Sequence, residues 1–382
     1  MWKFGEGRSG GVQLLWTLWW CTVALVEEVR AFWDTPHMIV PQIASDSGLI
    51  SSQSMACVQT VFSQSFYKDY DAFINSGVWA DHIKASSPPF GLGYKAGTRA
   101  FDEWHFVDYP LLAEGAEKCD TLMDHNIVWA LERLISADGR DELASYGPMP
   151  LSPGVALRLI THFLGDLHQP LHCVSRCDAT SPDGDRGGNL FYVNNTGYSS
   201  GVHNLHSFWD SGAGQYDAVE AMALADKLKE LPKLAKIIMD EYPVAMKAKE
   251  SAYGGKADFK TWSEASFDLA KNVAYKNLKR DAICSNGKPC AMIPAAYRAE
   301  AQKIIREQLA LAGYRLARII DKHFSNCVEF FPHYGVPTWA FVLCTVLFSV
   351  GGVLFGIKFG RKLYVMCLAC RSGMTMEYID NK

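Results

Sequence analysis

"LITHFLGDLHQPLHC", Leu159 to Cys173, sets three histidines and an aspartate in a largely apolar stretch. An imidazole or carboxylate buried without a partner is costly, so the segment needs either a solvated face or a shared electrophile. Pro170 lacks an amide hydrogen and ends any helix that reaches it. On a helix before that break, His162 and Asp166 lie four apart and share one face. His168, two residues after Asp166, points elsewhere. His172 follows just beyond the proline, where the chain can swing it toward the same pocket.

A second stretch repeats the pattern. "HNLHSFWD" (203–210) places His206 and Asp210 four apart, with His203 one turn earlier. One His-x3-Asp pair is common on helix surfaces, whereas two in a chain with 11 histidines form a pattern. Imidazole nitrogen and carboxylate oxygen are the ligands zinc takes where a catalytic site keeps an open position. Asp81 in "SGVWADHIK" and His105 in "FDEWHFVD" are further candidates. Trp79, Trp104 and Trp209 stand one or two residues before candidate ligands. They serve as core, or as walls that lower the dielectric around a polar cluster.

The chain has 382 residues and a formal charge of −4, with no basic stripe of the kind that grips nucleic acid through phosphates alone. Lys3 and Arg8, an apolar run from Val12 to Val26, and Val29 and Ala31 read as a signal peptide over 1–31. Residues 336–357 carry no charge and have the length of a membrane-spanning helix. Lys358, Arg361 and Lys362 follow, which orients the 358–382 tail to the cytoplasm. The expectation is a single-pass protein of the cell surface or endomembrane lumen, anchored in the bilayer, with one domain (32–333) outside.

Of 11 cysteines, Cys57, Cys119, Cys173, Cys177, Cys284, Cys290 and Cys327 fall in that domain, so most pair and one is left over. The lone sequon begins at Asn194, a glycosylation candidate. Tyr297, Ala301, Ile304, Ile305, Leu309, Leu316, Ile319 and Ile320 recur at a helical period. The fold class expected is mainly α, one helical domain, with a small β-hairpin at "NLFYVNNTGYSS" (189–200).

With these residues in place the chain resembles the zinc-dependent single-strand-specific nucleases, which share a fold with zinc phospholipase C. The shared motifs are "WAD", "WHFVD", "HFLGDLHQPLH", "RGGN" and "NLHSFWD", in the family's order. The C-terminal anchor is most similar to the membrane-bound trypanosomatid 3′-nucleotidase/nucleases. The resemblance implies three zinc ions. Asp81, His105, His162 and Asp166 would hold the first, and His172, His206 and Asp210 the second. Asp166 would bridge to a third, completed by His37 and the backbone amine and carbonyl of the mature N-terminal residue. In the family that histidine lies five positions after the first mature residue. Five before His37 is Phe32, the residue left by cleavage after Ala31.

The resemblance further implies that Asp81 orients the nucleophile and Lys84 neutralises the phosphoryl group. Phe106 would stack a base and Asp108 accept hydrogen bonds from it. Arg186 stands where fungal members have an apolar base contact, and Asn189 would order the pocket. Zinc lowers the pKa of bound water and supplies positive charge that the chain as a whole lacks. The implied reaction cleaves P–O3′ bonds in single-stranded nucleic acid and 3′-mononucleotides. A zinc phospholipase C and a non-catalytic zinc-stabilised surface protein are the alternatives. No protein partner is evident.

Overall fold

The computed structural model describes residues 33–63, 72–83, 98–146, 151–199, 201–243, 257–285 and 287–325. The quoted stretch does form a helix up to the proline, and its start is equally well encoded. Ser152 caps the amide of Val155 through its hydroxyl at 3.4 Å, and Pro153 occupies the first turn, where its missing N–H costs nothing. The helix runs Pro153–His168, and Gly154–His168 are all buried. A helix buried all round belongs in the middle of a domain, and here helices from both before and after it in the chain pack against it.

In chain order the helices are α1 (Asp34–Asp46), α2 (Ser52–Ser63), α3 (Trp79–His82), α4 (Ile127–Leu134) and α5 (Ala137–Ala144). The central helix is α6; then come α7 (Leu205–Asp210), α8 (Asp217–Glu220), α9 (Leu224–Glu241), α10 (Phe259–Leu269) and α11 (Ala295–His323). α1 packs between α6, α9 and α11. Gly313 permits the α1–α11 approach, since a Cβ there would lie 2.5 Å from Ile43 Cγ2. Phe163, Leu164 and Leu167 of α6, Ile39 and Ile43 of α1, and Leu309, Leu316 and Ile320 of α11 join one buried apolar cluster.

Strand is scarce. β1 (Pro110–Leu112) pairs in parallel with β2 (Ser175–Cys177), Pro110 opposite Ser175 and Leu112 opposite Cys177. β3 (Ala282–Ile283) pairs antiparallel with β4 (Pro289–Cys290). The hairpin expected at 189–200 is corrected by this arrangement. Tyr192 bridges Asn204 and Val193 bridges Ala291, while Tyr198 and Val202 close local turns instead of a second strand. The run "NLFY" finds its partners farther along the chain because Leu205 donates its amide to the Phe191 carbonyl.

Disulfides join Cys119 to Cys177 and Cys284 to Cys290, and Cys57 is also disulfide-bonded. Cys173 is buried and free, the odd thiol expected from the count. The signal segment, Phe32, Lys84, Cys327, the apolar run 336–357 and the tail lie outside the described residues. Among the described residues no helix is long and apolar enough to cross a membrane.

Candidate metal centre

Six local elements bring the candidate ligands together. α6 carries His162 and Asp166 one turn apart, Nε2 to Oδ2 3.2 Å. Gln169 turns extended, and a short 3-10 turn, Pro170–Cys173, then presents His172. α7 repeats the one-turn pairing, His206 Nε2 to Asp210 Oδ2 3.2 Å, on a helix begun by a capping box between Asn204 and Ser207. His105 ends a 3-10 turn, Thr98–His105, Asp81 sits in α3, and His37 comes from α1.

The result is three groups whose ligand atoms lie within 4.8 Å of one another: Asp81, His105 and His162; His37, His162 and Asp166; and His172, His206 and Asp210. Asp166 stands between them. Its Oδ2 is 2.9 Å from His105 Nδ1, and its Oδ1 is 3.3 Å from His37 Nε2 and 3.9 Å from His172 Nδ1. The His37 and His162 rings stack with centroids 3.8 Å apart. All eight candidate side chains of the described residues therefore converge. His168 does not: its Nδ1 donates to the Leu164 carbonyl, and Arg315 meets its other nitrogen.

Backbone carbonyls aim three of the imidazoles. His162 Nδ1 donates to Gly77 O (2.7 Å), His172 Nδ1 to His105 O (2.8 Å) and His206 Nδ1 to Gly187 O (2.8 Å). That bond fixes the tautomer and leaves each Nε2 facing the group, the usual outer-shell device at metal sites. Gly187 is required there. Its φ is +62°, and a Cβ would lie 2.2 Å from the Leu171 carbonyl oxygen. Gln169, which sequence reasoning passed over, accepts the Leu171 amide (2.6 Å) and donates to Asp210 Oδ1 (2.6 Å). Its signal is the Gln-Pro break itself, a polar side chain at the point where a buried helix stops.

The electrostatics fit a cation. Burial works against a charged His162, yet the carboxylates of Asp166 and Asp81 prevail and hold its pKa up to about 10. Burial would raise the Asp166 carboxyl, but His162 and His172 keep it well below the usual carboxylate range. A field that keeps a fully buried imidazole charged is one a divalent ion satisfies. His172 Nε2 and Asp166 Oδ1 are buried and make no hydrogen bond among the described residues. These donors suit zinc, with no thiol among them and Asp81 reaching the surface.

Beside this centre lie the candidate base contacts. Phe106 and Asp108 follow His105 directly and are half-buried. Burial, then the charge of Asp185, raises the Asp108 carboxyl to about 7, with Arg186 opposing. Arg186 is exposed at φ +55°, and its carbonyl accepts from Asn189 Nδ2 at 2.8 Å. Asn194 occupies a half-buried position leading into the exposed turn 195–197. Trp79, Trp104 and Trp209 are buried core residues, and Trp209 donates its indole hydrogen to the Tyr297 hydroxyl.

A helical domain with three buried His/Asp groups that could hold metal ions suits a metal-dependent hydrolase. Residues 32–325 match the S1/P1 Nuclease family, and the chain belongs to it. It is 28% identical to Nuclease S1 of Aspergillus oryzae over 317 residues, covering 78% of this chain and 94% of that protein. Endonuclease 5 and Endonuclease 2 of Arabidopsis thaliana are 28% and 27% identical over 173 and 170 residues. Each of those matches spans 44% of this chain and 51% of the relative. Family members are zinc-dependent hydrolases that cut phosphodiester bonds in single-stranded nucleic acids. Among the readings set out from sequence, the family match favours the nuclease.

Proposed function

We propose that the chain is a trinuclear zinc nuclease and 3′-nucleotidase that breaks P–O3′ bonds. It would leave 5′-phosphates from single-stranded DNA or RNA, and nucleoside plus phosphate from 3′-mononucleotides. The observation that carries this is the meeting of eight His and Asp side chains from six elements, with Asp166 between the groups. In this reading Asp81, His105, His162 and Asp166 hold one ion, and His172, His206 and Asp210 a second. His37 and Asp166 hold the third with the backbone of Phe32.

Zinc bound there supplies Lewis acidity and a water of near-neutral pKa. The chain does the rest. Asp81, at the edge of the buried group, accepts a hydrogen bond from the attacking water and orients it. Lys84 meets the negative phosphoryl oxygens. Phe106 stacks the base, which must first leave its duplex, and this gives the single-strand preference. Asp108 accepts from the base edge, while Arg186 and Asn189 shape the pocket. The same reading keeps a removed signal at 1–31, an anchor at 336–357 and glycosylation at Asn194.

The test is hydrolysis of a labelled single-stranded oligonucleotide and of adenosine 3′- and 5′-monophosphates in water enriched in oxygen-18. Heavy oxygen is expected on 5′-phosphate termini, with phosphate released from the 3′-monophosphate only and all activity lost with chelator. Products ending in 3′-phosphate would overturn the bond assignment, and an inert 3′-monophosphate the nucleotidase assignment.

A further inference from the structure

Asp185 lies outside the three ligand groups, yet it is buried and fully engaged. Its Oδ1 accepts the amides of Arg176 and Gly188, each at 3.0 Å. The Tyr275 hydroxyl donates to the same carboxylate, 2.8 Å from Oδ2. Tyr275 is itself buried and follows a π-helical turn, Ala270–Ala274, at the end of α10. Asp185 thus ties its own turn to Arg176, nine residues back, and to Tyr275, ninety residues on.

What it ties down is an unusual turn. Arg186, Gly187 and Gly188 have φ of +55°, +62° and +83°, three consecutive left-handed residues, one of them not glycine. A non-glycine residue there is strained and persists only where surrounding bonds over-determine it. The turn has two products. The Gly187 carbonyl points inward and accepts His206 Nδ1 at 2.8 Å. The Arg186 side chain points out to solvent beside Asp108. The inner side leaves no slack, because Gly187 sits against the Leu171 carbonyl, one residue before His172.

We infer that Asp185, braced by Tyr275, is a positioning residue that aims His206 at the second metal group through the Gly187 carbonyl. Its hydrogen bonds go to Arg176, Gly188 and Tyr275, none of them a candidate metal ligand. The inference rests on the reading that His172, His206 and Asp210 hold an ion. Loss of an outer-shell partner of this kind typically costs about 10- to 100-fold in metal affinity.

The experiment is a zinc competition titration against a chromophoric chelator on the purified full-length chain. It compares wild type, Asp185→Asn, Tyr275→Phe, His206→Ala and the double variant Asp185→Asn/His206→Ala. His206→Ala should abolish one class of site. Asp185→Asn should weaken that same class about 10- to 100-fold, Tyr275→Phe should weaken it less, and the other sites should keep their affinity. In the His206→Ala background, Asp185→Asn should change nothing further, which a general loss of fold would not reproduce. If Asp185→Asn weakens every class, or still weakens the remaining sites in the double variant, the positioning role is wrong. A His206→Ala chain that keeps every zinc site overturns the second-group reading, and the inference with it.

Discussion

His162 and His172 stand ten positions apart in one motif, are both fully buried, and behave in opposite ways. Burial opposes the charge of each. At His162 two carboxylates, Asp166 and Asp81, outweigh burial and raise the imidazole to about 10. At His172 burial wins, the charge of His206 opposes Asp166, and the imidazole falls to about 4. Carboxylates therefore keep the His162 imidazole charged, while burial keeps the His172 imidazole neutral near pH 7. The difference lies in the balance: two carboxylates outweigh burial at His162, whereas at His172 burial outweighs Asp166, with His206 opposing it.

Asp166 touches both halves, and neutralising it is the strongest way to break the contrast. Asp166→Asn should lower nucleolytic kcat/KM about a thousandfold or more, about 4 kcal/mol of transition-state stabilisation. It should also reduce bound zinc by more than the one ion lost with His206→Ala. Metal analysis beside steady-state kinetics checks this. An Asp166→Asn chain with full zinc content would mean that the carboxylate is structural.

The same residue shows how far the sequence could be read. Positions four apart on a helix must share a face, so the His162–Asp166 and His206–Asp210 pairings were legible from spacing alone. The break at Pro170 was legible because proline carries no amide hydrogen. Convergence of the two pairs with His37, Asp81 and His105 came from resemblance, since spacing within one helix says nothing about which helices meet. The misplaced hairpin marks another limit: "NLFY" reads as a strand, but its partners at Asn204 and Ala291 are set by packing. Gln169, Asp185 and the Gly77 and Gly187 carbonyls escaped notice because their role depends on direction. A backbone oxygen has no signature in the residue type.

The contrast also predicts the stability of the metal-free protein as pH changes. A folded pKa near 10 against about 6.5 unfolded means that His162 contributes stability below pH 6.5 and loses it as pH rises toward 10. His172 has the opposite sign. Its folded value near 4 means the unfolded chain takes up the proton first, so stability falls as pH drops from 6.5 to 4, by about 3 kcal/mol at most. With chelator present, Tm should peak near neutrality and decline on both sides. In the proposed site zinc would take the place of the proton at His162, so the alkaline decline should be much smaller in the loaded protein. Thermal scans from pH 5 to 9.5, with and without chelator, read both limbs. A metal-free Tm that climbs steadily to pH 9.5 would remove the charged His162 from the account.

The smallest effect expected belongs to the motif's remaining histidine, and it separates position in sequence from position in space. His168 sits between the two, on the same helix as His162, and is as buried. It lies two residues past Asp166, about 200° around the helix, and so faces away from the centre. There its Nδ1 donates to the Leu164 carbonyl, and Arg315 meets the other nitrogen while stacking on Trp262, 4.4 Å from the ring centroid. Removing that ring leaves buried groups to find other partners, a cost of about 1–3 kcal/mol. In a domain of this size each kcal/mol lowers Tm by about 2–4 °C. His168→Ala should therefore melt several degrees lower yet bind zinc with unchanged stoichiometry and keep its kcat. The same substitution at His162 or His172 should cost metal. If His168→Ala loses zinc in proportion to its neighbours, orientation on α6 is not what divides a ligand from a core residue.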